Sequence, residues 1–107
     1  MNLSDLNVHI FPIACAEQLE NIGLLVKTRR LERKIRQQDI ATAVGISAQT
    51  VGKIEAGTPT VEIRAYMVVL WHLGLLGDVF PLVAPPSRAS YANEHRVRLK
   101  KASKGDF

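Results

Sequence analysis

RQQDIATAVGISAQTVGKIEAG, residues 36–57, reads as two short helices joined by a tight turn. In the first helix, Gln37 to Val44, the apolar residues Ile40, Ala41 and Val44 share one face. Gly45 follows at once, the residue type that lets a chain end a helix in the left-handed conformation. Ser47 then stands as N-cap of the second helix, Ala48 to Glu55, with its hydroxyl placed to accept an orphan N–H. Val51 and Ile54, three apart, face inward. Gln49, Gly52, Lys53 and Ala56 fall elsewhere around the helix, and Gly57 closes it.

Upstream, residues 16–34 are helical, with Leu19, Ile22, Val26 and Arg30 at helical spacing and Leu25 alongside. Glu17 and Glu20 come early and Arg29, Arg30, Arg33 and Lys34 late, which complements the helix dipole. Gly23 in mid-helix costs about 1 kcal/mol relative to Ala. Before it, Val8-His9-Ile10-Phe11 is a short apolar run ended by Pro12, and reads as a strand, an arm on the core or a second subunit, or a frayed terminus.

Downstream, Thr58-Pro59-Thr60 is a turn, with Thr60 as N-cap of a helix carrying Glu62 in its first turn. Its apolar stripe is Ile63, Tyr66 with Met67, Leu70 and Leu73, ended by Gly74. Tyr66 and Trp71 belong to the core or an interface. Leu75, Leu76, Val79, Phe80 and Leu82 suggest a last short helix, stopped by Pro81 or by Pro85-Pro86, which either completes the core or forms a dimer patch. Beyond Pro85 periodicity is lost, although Val97 and Leu99 alternate with Arg96, Arg98 and Lys100 as in a short strand. The expected organisation is all-α: an N-terminal arm (1–15), a five-helix domain (16–84) and a flexible basic C-terminal tail (85–107).

The 107 residues suit one small domain with tails, and 47% apolar content suffices for a modest core. No apolar run approaches the roughly 18 residues of a membrane span. No basic-then-apolar leader opens the chain, so a reducing cytoplasm is the default. Cys15 is the single cysteine, expected as a small apolar packing residue. His9, His72 and His95 have no ligand spacing with one another or with Cys15, so no metal is expected. No Ser/His/Asp order, glycine-rich phosphate loop or close carboxylate pair points to an enzyme or a cofactor.

Charge is unevenly placed. Residues 1–84 hold eight basic side chains (Lys27, Arg29, Arg30, Arg33, Lys34, Arg36, Lys53, Arg64) and eight acidic ones (Asp5, Glu17, Glu20, Glu32, Asp39, Glu55, Glu62, Asp78). The net charge of +4 therefore lies in residues 85–107, with Arg88, Arg96, Arg98, Lys100, Lys101 and Lys104 against Glu94 and Asp106. A second basic cluster runs from Lys27 to Arg36. Two such patches fit either a polyanion partner or solvated surface charge.

The combination of Arg30, Gln37-x-x-Ile40-Ala41-x-x-Val44-Gly45-Ile46-Ser47 and Val51-x-x-Ile54-Glu55-x-Gly57 resembles the Xre family of helix-turn-helix regulators, of the lambda-repressor type. The likeness covers about residues 25–73. Gly57-Thr58-Pro59-Thr60-Val61, the Trp71-bearing helix, Gly74-Leu75-Leu76 and the Arg-Val-Arg of the tail are similar to the HipB-like branch. That branch comprises antitoxins and DNA-binding partners of HipA-like serine/threonine kinase toxins, some in three-component HipBST systems.

The resemblance implies that the second helix of the motif enters a DNA major groove. Ala48, Gln49 and Lys53 then fall on base-facing positions: Gln pairs with adenine, Lys donates to guanine and Ala contacts a thymine methyl. It places Gln37 on a DNA phosphate through its side chain and the helix N-terminal amides, with Ser47 and Thr50 in reach of phosphate or a base edge. Arg36, Arg33 and Lys27 read either as phosphate neighbours or as solvated charge. It pairs Arg30 with Glu55 as an ion pair that orients the reading helix. Two positions depart from the family: Arg36 stands where Ser or Thr usually caps, forfeiting about 1 kcal/mol, and Lys34 where Gly often ends the first helix.

The implied protein is a homodimeric repressor of a palindromic operator in double-stranded DNA, with recognition helices about 34 Å apart. It would regulate its own toxin–antitoxin operon and bind a HipA-like kinase, with no membrane partner. The tail residues Arg96, Arg98, Lys100 and Lys101 would contact either that kinase or DNA phosphate. The alternatives are a solitary phage-type Xre repressor and a protein-interaction adaptor that has lost DNA binding.

Overall fold

The computed structural model describes residues 10–87. Five helices follow in order: α1 (Ile13–Glu32), α2 (Gln37–Val44), α3 (Ala48–Glu55), α4 (Ile63–His72) and α5 (Leu76–Val79). There is no strand among the described residues, so the fold is all-α. The tail residues Arg96, Arg98, Lys100 and Lys101, the Val97/Leu99 alternation and residues 1–9 of the arm lie outside the described residues. No helix among the described residues is long and apolar enough to cross a membrane.

One core joins the helices. Val26 of α1, Ile40 and Ala41 of α2, Val51 and Ile54 of α3, Ala65, Tyr66, Val69 and Leu70 of α4, then Leu73 and Leu75, are all buried. α3 lies between α1 and α2, and α4 packs on α2 and α5. The central position of α3 follows from its short apolar stripe: only Val51 and Ile54 are buried, and α1 and α2 close over them from two sides.

Several boundaries differ from the sequence reading. α1 begins three residues before Ala16, because the Pro12 carbonyl accepts from the backbone N–H groups of Cys15 (2.9 Å) and Ala16 (3.0 Å) and starts the helix directly after the proline. Cys15 is exposed, not packed, since α1 reaches the core only from Leu19 onward. Glu62, in an extended conformation and without a side-chain cap bond, takes the N-cap position of α4 in place of Thr60. Its buried face is Ala65, Tyr66, Val69 and Leu70, with Leu73 just beyond. Ile63, Met67 and Trp71 form an outer row instead, and Trp71 is 67% exposed. Spacing of three and four fits both rows, and only the packing of α4 on α2 selects between them. α5 stops at Val79, leaving Leu82 fully exposed.

Four turns after helices pass through the left-handed region, at Gly45, Gly57, Gly74 and Lys34. Lys34 has φ 56° and closes α1 as the glycines close their helices: its N–H donates to Leu31 O (3.0 Å), and the next N–H, of Ile35, donates to Arg30 O (3.3 Å). A side chain in this conformation costs about 1 kcal/mol. Lys34 is exposed, so Lys34→Gly removes that strain without removing a contact. The variant is expected to be more stable by about 1 kcal/mol in urea denaturation; an unchanged or lower midpoint would show that the left-handed turn carries no strain.

Two polar side chains fasten the loops. The Tyr66 hydroxyl donates to Thr58 O (2.7 Å), tying α4 to the segment that leaves α3. Burial raises the Tyr66 phenol above its ordinary pKa of 10.0. Arg29 donates through Nη1 to Leu73 O (2.8 Å), satisfying a carbonyl at the end of α4.

Candidate nucleic-acid interface

α3 has one face in the core and the other in solvent. Ser47 caps it, its Oγ accepting from Thr50 N (3.0 Å) and lying 2.9 Å from Thr50 Oγ1. These two hydroxyls are bonded to each other, so each keeps only part of its capacity for an outside partner. Gln49 and Lys53, one turn apart on the exposed side, make no hydrogen bond or ion pair among the described residues. Ala48 is half-buried and packs against the core cluster, so its methyl is only partly presented.

The far end of α3 is held by a part-buried polar knot. Arg30 of α1 donates through Nε to Glu55 Oε2 (2.6 Å) and through Nη2 to Glu55 Oε1 (3.1 Å). Its Nη1 donates to Ile35 O (3.1 Å), in the link to α2. Gln37, the first residue of α2, donates through Nε2 to Glu55 Oε1 (3.0 Å). One carboxylate thus collects donors from both neighbouring helices. The side chains are 12% exposed for Arg30 and 5% for Glu55. The hydrogen bond to Glu55, with its charge, raises the Arg30 guanidinium above its ordinary pKa and outweighs the opposing effect of burial. A bidentate pair of this kind fixes direction as well as distance.

Gln37 is therefore turned inward. Its amide lies over Gly52 of α3, where an added Cβ would sit 3.7 Å from it, and one of its two amide hydrogens is engaged by Glu55. A phosphate contact from Gln37 is left the second amide hydrogen and the backbone. No local pattern signals the Gln37–Glu55 bond, because it joins positions 18 residues apart.

Arg36 does not act as a side-chain cap, having no acceptor. Asp39 supplies the missing half: its Oδ2 accepts from the Arg36 backbone N–H (2.8 Å), and its Oδ1 from Arg36 Nη2 (3.0 Å). These bonds from the Arg36 side chain and backbone hold the Asp39 carboxyl below its ordinary 3.8, and the same pairing raises the guanidinium. The cation remains at the start of α2, 80% exposed, but partly neutralised. The signal in the sequence is the spacing of Arg36 and Asp39, three apart, which brings opposite charges together at a helix start.

A cleft of about 380 Å³ opens between the turn after α2, the face of α3 and the start of α4. Ser47, Thr50 and Lys53 lie on one side and Thr60, Glu62 and Arg64 on the other. The structure thus brings Ser47, Thr50 and Lys53 to one opening, leaves Gln49 beside them on the same helix, and keeps Arg30, Glu55 and Gln37 behind it. No group of three or more His, Cys, Asp or Glu suited to a metal occurs among the described residues.

Comparison with known proteins agrees with this architecture. The Helix-turn-helix family profile matches residues 26–63, which run from α1 to the start of α4. An uncharacterized HTH-type transcriptional regulator of Sinorhizobium fredii, y4mF, is 35% identical over 68 residues, covering 64% of this chain and 86% of that protein. No solved structure matches the chain.

Proposed function

The chain belongs to the helix-turn-helix family of HTH-type transcriptional regulators, and we propose that it is a sequence-specific DNA-binding repressor. The observation that carries this reading is the state of α3. Its outward residues Gln49 and Lys53 are exposed and unbonded among the described residues, while its inner face and its end are locked by apolar packing and by the Glu55 knot. A helix held in a fixed direction with bare hydrogen-bonding side chains suits reading of base edges in a major groove. Gln49 and Lys53 read bases, with Ala48 at the margin. Ser47, Thr50, Arg36 and the start of α2 at Gln37 set the register on phosphate.

The finer reading rests on the resemblance to the HipB-like branch. We propose a cytoplasmic homodimer on a palindromic operator that represses its own toxin–antitoxin operon and binds a HipA-like kinase, alone or within a three-component complex. Co-purification of such a kinase with the full chain separates this from a solitary regulator.

DNA reading is tested by fluorescence anisotropy on the DNA upstream of the gene. The double variant Gln49→Ala with Lys53→Ala is expected to lose preference for that DNA over an unrelated duplex, each lost base contact costing about 1–3 kcal/mol. A preference equal to wild type would remove these two residues from base reading.

A further inference from the structure

We infer that the outer stripe of α1 is a contact surface for a second copy of this chain, the two α1 helices lying antiparallel about a twofold axis at Leu24. The inference goes beyond the proposed DNA-binding function and does not rest on it.

Among the described residues, α1 has neighbours on two flanks and none along its outside. On one flank the carbonyls of Ile54 and Glu55 meet it at Gly23. On the other, Ile22 and Leu25 share a groove of about 300 Å³ with Val79 and Phe80 of α5. Ile13, Glu17, Glu20, Leu24, Lys27 and Leu31 lie between these flanks, on the side away from the core, at steps of four and three residues. Those steps are the spacing at which one long helix packs along another. Ile13, Leu24 and Leu31 are each more than half exposed, so the stripe offers three large apolar side chains along a 20-residue helix.

The charges on this stripe select the occupant and its direction. Glu17 and Glu20 stand before Leu24 and Lys27 after it, all exposed, and none makes a hydrogen bond or ion pair among the described residues. By contrast, Glu32 on the flank of the same helix faces Arg29 at 3.8 Å. In a parallel pair of α1 helices Glu20 would meet Glu20, and Lys27 would meet Lys27. In an antiparallel pair centred on Leu24, Glu20 of each copy stands opposite Lys27 of the other, on both sides of the axis. Leu24 meets its own counterpart, and Leu31 falls opposite the turn between Ile13 and Glu17. The stripe is therefore complementary to itself, as a twofold contact requires, with an apolar centre and charges beside it. The α4 row of Ile63, Met67 and Trp71 is also exposed, but it holds no charge that selects an occupant.

Sedimentation equilibrium of the full chain without DNA reads the association. Because a single helix pair is a small interface, the concentration series runs up to about 1 mM. Wild type is expected to dimerise, and to do so about threefold more weakly as salt rises from about 50 to about 500 mM. Leu24→Asp sets two carboxylates together at the axis and is expected to abolish dimerisation. Glu20→Lys and Lys27→Glu each set like charges opposite one another, and each is expected to weaken it about tenfold. An equimolar mixture of these two variants is expected to associate as wild type does. The introduced lysine of one then faces the introduced glutamate of the other, and native Lys27 of the first faces native Glu20 of the second. Mixing cannot repair a folding defect, and circular dichroism is expected to show unchanged helix content at these exposed positions.

A wild type that stays monomeric throughout the series overturns the inference. So does a dimer that survives Leu24→Asp, or a mixture of the two reversed variants that associates no better than either alone. Dimerisation lost in Trp71→Asp but kept in Leu24→Asp places the contact on α4, which overturns the α1 interface and leaves the proposed homodimer standing. No DNA enters the measurement, so its failure is distinct from a failure of DNA binding.

Discussion

Gly23→Ala is expected to destabilise the protein by about 2–4 kcal/mol, lowering its melting temperature by roughly 10–20 °C. A Cβ at position 23 would meet the carbonyl oxygens of Glu55 at 2.5 Å and Ile54 at 2.6 Å. Both are backbone atoms at the end of α3, so no side chain can swing aside, and the helices themselves must separate. The substitution would gain about 1 kcal/mol from helix propensity, which the clash exceeds. Separation of α1 from α3 also pulls Arg30 away from Glu55, so DNA affinity should fall with stability. Gly77→Ala in α5 is the control, since nothing lies within 4 Å of a Cβ there. Thermal denaturation followed by circular dichroism distinguishes the two, and equal melting temperatures for Gly23→Ala and wild type would refute the close approach.

Glu55→Ala is expected to cost about 2–3 kcal/mol, because it leaves the largely enclosed Arg30 guanidinium without its counter-charge. Gln37 loses its acceptor in the same step. The cost measures the unpaired charge more than the net worth of the pair. Replacing both partners, Arg30→Met with Glu55→Met, should therefore recover much of the stability. It should not recover operator affinity, because methionines fill space but do not fix the direction of α3 as a bidentate pair does. Urea denaturation with operator binding on the same samples reads the two effects separately. A single variant within about 1 kcal/mol of wild type would show that the knot contributes little. Full operator affinity in the double variant would show that it does not orient the helix.

Gly23 shows how a local reading can miss the reason for a residue. In the sequence it is a helix-weakening glycine, and only the crossing of α1 over the end of α3 reveals that no side chain fits there. The exposed row of α4 is a similar case. Ile63, Met67 and Trp71 repeat every four residues as a core stripe would, yet they point outward. The helix offers two apolar rows, and which one is buried depends on the partners α2 and α5. Cys15 is exposed for the same reason, since small apolar side chains near a helix start are buried only if another element reaches them.

The sequence by itself determined the helix-turn-helix. The limits of α2 and α3, the left-handed Gly45, the Ser47 cap and the inward Val51 and Ile54 all follow from local rules that act within a few residues. Only the tertiary structure decided how the motif is held and extended. Glu55 gathers Arg30 and Gln37 from positions 25 and 18 residues away, and Arg64 and Lys53, from two different helices, line one cleft. Such contacts depend on which faces pack and how closely, and that is set by side-chain volume and backbone approach summed over the whole core, which no short stretch of sequence encodes.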